Sequence, residues 1–98
     1  MGDENTSGNN FNGRWNSHTE LYGFEYNVIM IISDDLVTFI TDDGDILFGK
    51  FYNGSTIIME GYTEEDVDFH LRYFLVNENR LLITNLLPNT TVDFFKIR

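Results

Sequence analysis

Cysteine is absent from this 98-residue chain. That excludes a disulfide framework, a zinc–thiolate site and a cysteine nucleophile. Basic residues are scarce: six face sixteen acidic ones, for a formal charge of -10. Such a surface repels nucleic-acid backbones and anionic lipid head groups, so no nucleic acid is expected as a partner. Long apolar runs are missing too. The longest, Val28–Ile32, has five residues, far short of a transmembrane helix. There is one proline and one tryptophan. No phosphate-binding glycine loop and no H-E-x-x-H pair occurs.

What is present is apolar and aromatic. The chain is 42% hydrophobic and 15% aromatic, with nine Phe and five Tyr, too much for a disordered protein. Its length suits one domain with a single modest core. Residues 1–11, MGDENTSGNNF, are polar, rich in Asn and Gly, and without periodicity. They are expected to form a flexible tail, leaving one domain over residues 12–98. No signal-peptide pattern stands at the start. A chain beginning after a removed export signal and a native cytoplasmic start explain the tail equally well.

The stretch Ile46–Glu60, ILFGKFYNGSTIIME, organises the rest. Asn53-Gly54 between two β-prone runs is a strong hairpin signal, because a type I′ turn needs positive φ at both central residues. Similar units flank it. Gly13 to about Thr19 reads as a first strand, and Leu21–Phe24 as a bend. Tyr26–Ser33 is expected to be a strand buried on both faces, and Leu36–Thr41 the next strand. Asp42-Asp43-Gly44-Asp45 supplies a turn. Ser55–Tyr62 returns from the central hairpin, followed by an acidic loop at Thr63–Asp66. Val67–Leu75 alternates apolar and polar residues with period two, as a half-buried strand does. Asn77–Asn79 turns the chain into Arg80–Leu86, Leu87-Pro88-Asn89 breaks it, and Thr91–Arg98 is the last strand.

The expected fold class is therefore all-β: an antiparallel up-and-down meander of about eight strands, spaced about ten residues apart. The connections are too short for crossover helices, so sequence neighbours pair. Closure into a small barrel removes exposed edges; a two-sheet sandwich is the alternative.

Gly13-Arg14-Trp15 opening such a meander, with Arg98 at its end, resembles the lipocalin and calycin pattern. In that family a G-x-W motif lies on the first strand, and an arginine from the last strand covers the tryptophan. The resemblance implies a clamp made by Gly13, Trp15 and Arg98, or less well Lys96, since a guanidinium stacks on indole. The chain departs from the family in its shortness, its lack of a disulfide and its lack of a C-terminal helix. In these respects it is more similar to the compact lipocalin-like domains of secreted bacterial proteins and lipoproteins. That likeness implies a secreted, periplasmic or surface-tethered location, with a cytoplasmic one as the alternative. Avidins share the barrel but line their site with several tryptophans, where this chain has only Trp15.

A lipocalin-type role would place a small hydrophobic or amphipathic ligand inside the barrel, among Phe39, Phe48, Tyr52, Phe69, Leu71, Tyr73 and Phe94. The alternative is that such side chains fill the interior, and that the protein is a structural or protein–protein interaction module. The apolar surplus of Tyr26–Ser33 would then surface as a patch, on a monomer or a weak homodimer. Asp42, Asp43 and Asp45 offer hard oxygen ligands, but they lack the calcium-loop spacing, and a solvated turn explains them. His70, between Asp68 and Arg72 in the alternation, reads as a solvated imidazole, and no serine nucleophile motif accompanies it. No catalytic residue, metal or cofactor is expected.

Overall fold

A computed structural model of the chain describes residues 11–21, 23–87 and 90–97. Eight strands follow in order: β1 Gly13–Leu21, β2 Phe24–Ser33, β3 Leu36–Thr41, β4 Ile46–Tyr52, β5 Thr56–Met59, β6 Leu71–Asn77, β7 Arg80–Leu87 and β8 Thr90–Lys96. Each pairs antiparallel with its sequence neighbours, and β8 pairs with β1 through Trp15↔Lys96, Asn16↔Phe95 and Ser17↔Phe94. The meander thus closes into a barrel without a free edge along its circumference, which answers the hazard of an unpaired edge.

Short turns set the registers. Ser33 pairs with Leu36 across Asp34-Asp35. The Asn12 side chain brackets that turn, accepting from the Asp34 amide at 2.7 Å and donating to its carboxylate at 3.3 Å. In the central hairpin Asn53 and Gly54 both have positive φ, 44° and 86°. The last ladder pair there is Tyr52↔Thr56, so Ser55 joins the connection, and its carbonyl accepts from the Tyr73 amide at 3.0 Å. At the next turn the Asp42 carboxylate accepts from the Asn27 amide at 2.8 Å, tying that acidic stretch to β2.

Inward side chains build one core: Trp15, Val28, Met30, Ile32, Val37, Phe39, Ile57, Leu71, Tyr73, Leu81, Ile83, Val92 and Phe94. Phe39 and Phe94 meet with ring centroids 6.1 Å apart. At the end where β1 begins and β4 finishes, Phe11, Phe51 and Tyr73 pack edge-on or tilted at 5.0–6.3 Å. Phe11, the last residue of the expected tail, is therefore part of the packed domain. Ser17, a buried polar residue in the wall, is satisfied within the ladder. Its hydroxyl donates to the Val28 carbonyl and accepts from the Val28 amide.

Four expectations need correction. The strand β2 is buried on one face only: Val28, Met30 and Ile32 point in, while Ile31 is exposed. A closed barrel of this size has one interior, and no element among the described residues covers the outer side of β2. The return strand ends at Met59, well before Tyr62. The alternation of Val67–Leu75 is broken at its start. Val67–Phe69 form a 3₁₀ turn with Val67 and Phe69 exposed, and β6 begins only at Leu71. There the Phe69 and His70 amides bond back to Asp66 and Val67, so they are unavailable to a ladder. Finally, β4 presents Leu47, Gly49 and Phe51 toward the interior, so Phe48 and Tyr52 lie on the outer face.

Gly49 explains that last reversal. A Cβ there would stand 2.7 Å from Met59 Sδ, 2.9 Å from Ile57 Cγ2 and 3.2 Å from Val37 Cγ1. The side chain that β4 lacks is replaced by three from its neighbours. The strand turns its poorest face inward because the neighbouring strands fill the space.

Candidate functional site

Seven residues were candidates for lining a ligand site inside the barrel, and the structure separates them. Phe39, Leu71, Tyr73 and Phe94 are buried in the core. Phe48 and Phe69 are exposed, and Tyr52 is half-buried on the outer face of β4. Phe69 stacks on Tyr62 instead, with centroids 5.0 Å apart and planes at 18°. The candidates do not converge on one cavity. Burial raises the Tyr73 phenol above its ordinary pKa, as expected for a group held neutral in apolar surroundings.

The clamp is also redistributed. Arg98 lies outside the described residues. Lys96 occupies the position over Trp15, its Nζ 5.6 Å from the ring centroid. Trp15 is fully buried, and its indole Nε1 donates to the Phe11 carbonyl at 2.8 Å. Gly13 has φ +130°, and a Cβ on it would come within 3.1 Å of Lys96 Cε. Glycine there lets the lysine stem cross β1 to reach the ring. The Gly-x-Trp spacing thus has a local physical basis, namely one residue without a side chain and the next inward one an indole.

A concavity among the described residues lies on the outside of the barrel. It is a groove of about 730 Å³ over the outer faces of β4 and β5, walled by residues 60–65. Sheet register builds its floor. Lys50 pairs with Leu36 on one side and Ile58 on the other, and Phe48 accepts from the Glu60 amide at 2.8 Å, which continues the pairing past β5. Leu36, Phe48, Tyr52, Ile58 and Tyr62 supply apolar surface. Its rim is acidic: Glu60, Glu64 and Glu65 are exposed, and among the described residues Lys50 is the one cation lining it.

Local hydrogen bonds hold the wall. The Asp66 carboxylate accepts from the Thr63 amide at 2.7 Å and from its hydroxyl at 3.1 Å, while the Thr63 hydroxyl accepts from the Glu65 amide. His70 is buried rather than solvated. Its Nε2 stands 2.9 Å from the Thr63 carbonyl and must be the donor. Behind it, Asn85 donates from its side-chain amide to the carbonyls of Asp68 and His70 at 3.3 and 3.2 Å. Asn85 stands at the irregularity between Thr84 and Leu87 with φ 70°, a conformation that asparagine tolerates better than most residues. The groove wall is thereby pinned to β7 through a histidine and an asparagine. Neither residue advertised this role, because the bonds join positions 7 to 17 residues apart across a 3₁₀ turn.

His18, the other histidine, is exposed on β1, with Nδ1 2.8 Å from Asn27 Oδ1 and Nε2 3.6 Å from Glu25. Among the described residues no group of three His, Asp or Glu side chains is placed to hold a metal ion. None of the helices among them is long and apolar enough to cross a membrane. Compared with protein-family models, curated proteins and solved structures, the chain matches none.

Proposed function

We propose that this protein is a non-catalytic binding module that works through its outer face, with the side-chain-filled barrel as a rigid support. The observation that carries this reading is the groove over β4 and β5. There Leu36, Phe48 and Tyr62 remain 56%, 49% and 44% exposed, although the core has inward positions for large side chains. Contiguous apolar surface on a small protein marks a contact site more often than an accident. The patch continues across the sheet. Ile31 is paired with Thr38, which is paired with Phe48, so an exposed apolar side chain of β2 shares the outer sheet face two strands from the groove floor. Closing a barrel of short strands does not require Phe48 or Tyr62 on its outside.

The lipocalin-type alternative, a small apolar ligand inside the barrel, is less well supported. Its likeness rests on strand order and on Gly13-Arg14-Trp15. Four of its seven lining candidates pack against one another as core, and the other three face away from it. Polar groups suited to catalysis do not converge in the groove, where the cation Lys50 stands among carboxylates and aromatic rings.

Nile red, a neutral apolar dye, tests the reading. Its fluorescence should rise with the native protein and fall to background with the double variant Phe48→Ser/Tyr62→Ser, while the melting curve keeps its cooperativity. Full dye binding by the variant, together with a shift in Trp15 emission, would move the site into the barrel.

A further inference from the structure

We infer that the groove receives an extended segment of a partner protein in which basic residues flank one or two apolar side chains. This rests on the groove reading above and adds the chemistry of the occupant. The first argument is shape. Leu36 and Phe48 on the floor and Tyr62 on the wall are each roughly half exposed. A small molecule seated there would leave much of its own surface in water, unlike the deep burial usual for such ligands. A chain segment can lie along β4 and β5 and cover floor and wall together.

The second argument is charge. Glu60, Glu64 and Glu65 rim the groove, and among the described residues no ion pair engages any of them. Lys50 alone offsets them within the lining. A segment with Lys or Arg on both sides of its apolar anchor would place cations against this rim and be steered to it by the overall charge of -10. A second copy of the chain is the poorer occupant, since it brings the same rim and the same net charge of -10. The chain's own start fits no better: MGDENTSGNN holds two acidic residues, no basic one and no apolar one beyond Met1. The wall is already fixed by the Thr63–Asp66 and His70–Thr63 bonds, so binding orders little of the protein.

Three fluorescein-labelled peptides of about ten residues test this, a length that suits an extended segment on a sheet face. The first contains Lys, Leu and Phe; the second replaces each Lys by Glu; the third replaces each Leu and Phe by Ser. Anisotropy should show the first binding about tenfold or more tighter than either other peptide, and weakening between about 20 mM and 300 mM salt. The triple variant Glu60→Gln/Glu64→Gln/Glu65→Gln should lose several-fold in affinity for the first peptide without a change in melting. Amide shifts should map to Phe48, Lys50 and Tyr62. Equal binding of the Glu peptide would overturn the charge assignment while leaving the groove reading intact. Equal binding of the Ser peptide would show that charge alone acts, and would overturn the inference. If no peptide shifts the groove amides, both readings fall. A dimer in sedimentation that Phe48→Ser dissociates would assign the groove to a second copy instead.

Discussion

Removing the Trp15 ring tests how the barrel is closed, because three separable interactions meet there. The indole is fully buried, its N–H holds the Phe11 carbonyl at 2.8 Å, and the Lys96 ammonium stands 5.6 Å over its face. Trp15→Ala removes all three and should cost about 3–5 kcal/mol, the range for truncating a buried large side chain. Trp15→Phe keeps most of the apolar volume and loses the N–H bond. Its expected cost is about 1–2 kcal/mol, of which roughly 1 kcal/mol is the hydrogen bond. Lys96→Met keeps the stem against Gly13 and removes the charge, for about 0.5–1 kcal/mol. At roughly 4–8 °C per kcal/mol for a domain of this size, the three variants should separate clearly in melting temperature. Urea unfolding followed by far-ultraviolet circular dichroism gives the free energies directly, and equal m-values would show that the same surface is exposed on unfolding. If Trp15→Ala melts with the wild type, the seam between β1 and β8 is held by something else. If Trp15→Phe costs as much as Trp15→Ala, the indole N–H rather than buried volume dominates.

Gly49→Ala should destabilise by about 1–2 kcal/mol in the same melts. Met59 Sδ can swing away, but Ile57 Cγ2 at 2.9 Å is part of the fixed core. The double variant Gly49→Ala/Met59→Ala should be more stable than the sum of its parts; strict additivity would mean that the two side chains do not compete for the same space. Asn85→Ala should cost about 1–3 kcal/mol, chiefly because it leaves alanine at positive φ, and also because it strips the exposed Asp68 and part-buried His70 carbonyls of their shared donor. Hydrogen exchange should then accelerate across residues 60–70 first, and uniform acceleration would count against a pinned wall. Burial raises the Tyr73 pKa in the folded state. Above the ordinary tyrosine range near 10.0 the unfolded chain therefore sheds its proton first, and stability falls as pH climbs toward the folded value. Tyr73→Phe should flatten that alkaline decline, and an unchanged slope would assign the decline to other groups.

Much of the architecture is legible in the sequence, because it depends on local signals. Asn53-Gly54, the Asp-rich stretches and the β-branched run before Asp34 mark turns and strands within a few residues of themselves. Eight such units without room for a crossover helix leave antiparallel neighbours and closure. Facing is less legible. In β4 the two faces carry Leu47, Gly49 and Phe51 against Ile46, Phe48, Lys50 and Tyr52, and side-chain size favours the second as core. The opposite holds, because Ile57, Met59 and Val37 arrive from adjacent strands to fill the place at Gly49. No reading of β4 alone contains that information. Likewise, Val67–Leu75 alternates with Phe74 as its one break, yet its first three residues coil into a 3₁₀ turn. The His70 and Asn85 bonds that accompany this turn join positions 7 to 17 residues apart. The groove inherits both surprises: its floor is the face of β4 that the pattern suggested was core, and its wall is the segment that departs from the ladder. Phe11 escaped notice for the opposite reason, being a lone aromatic in an otherwise polar start.

Methyl carbon–proton correlation spectra recorded during a benzene titration test the account most directly, since benzene enters any dry apolar cavity large enough for it. The methyls of Leu36 and Ile58 in the groove should move with added benzene, while those of Ile57, Leu81, Ile83 and Val92 inside the barrel stay fixed. Saturable shifts at the interior methyls, with the groove methyls unmoved, would contradict a filled barrel that works through its outer face.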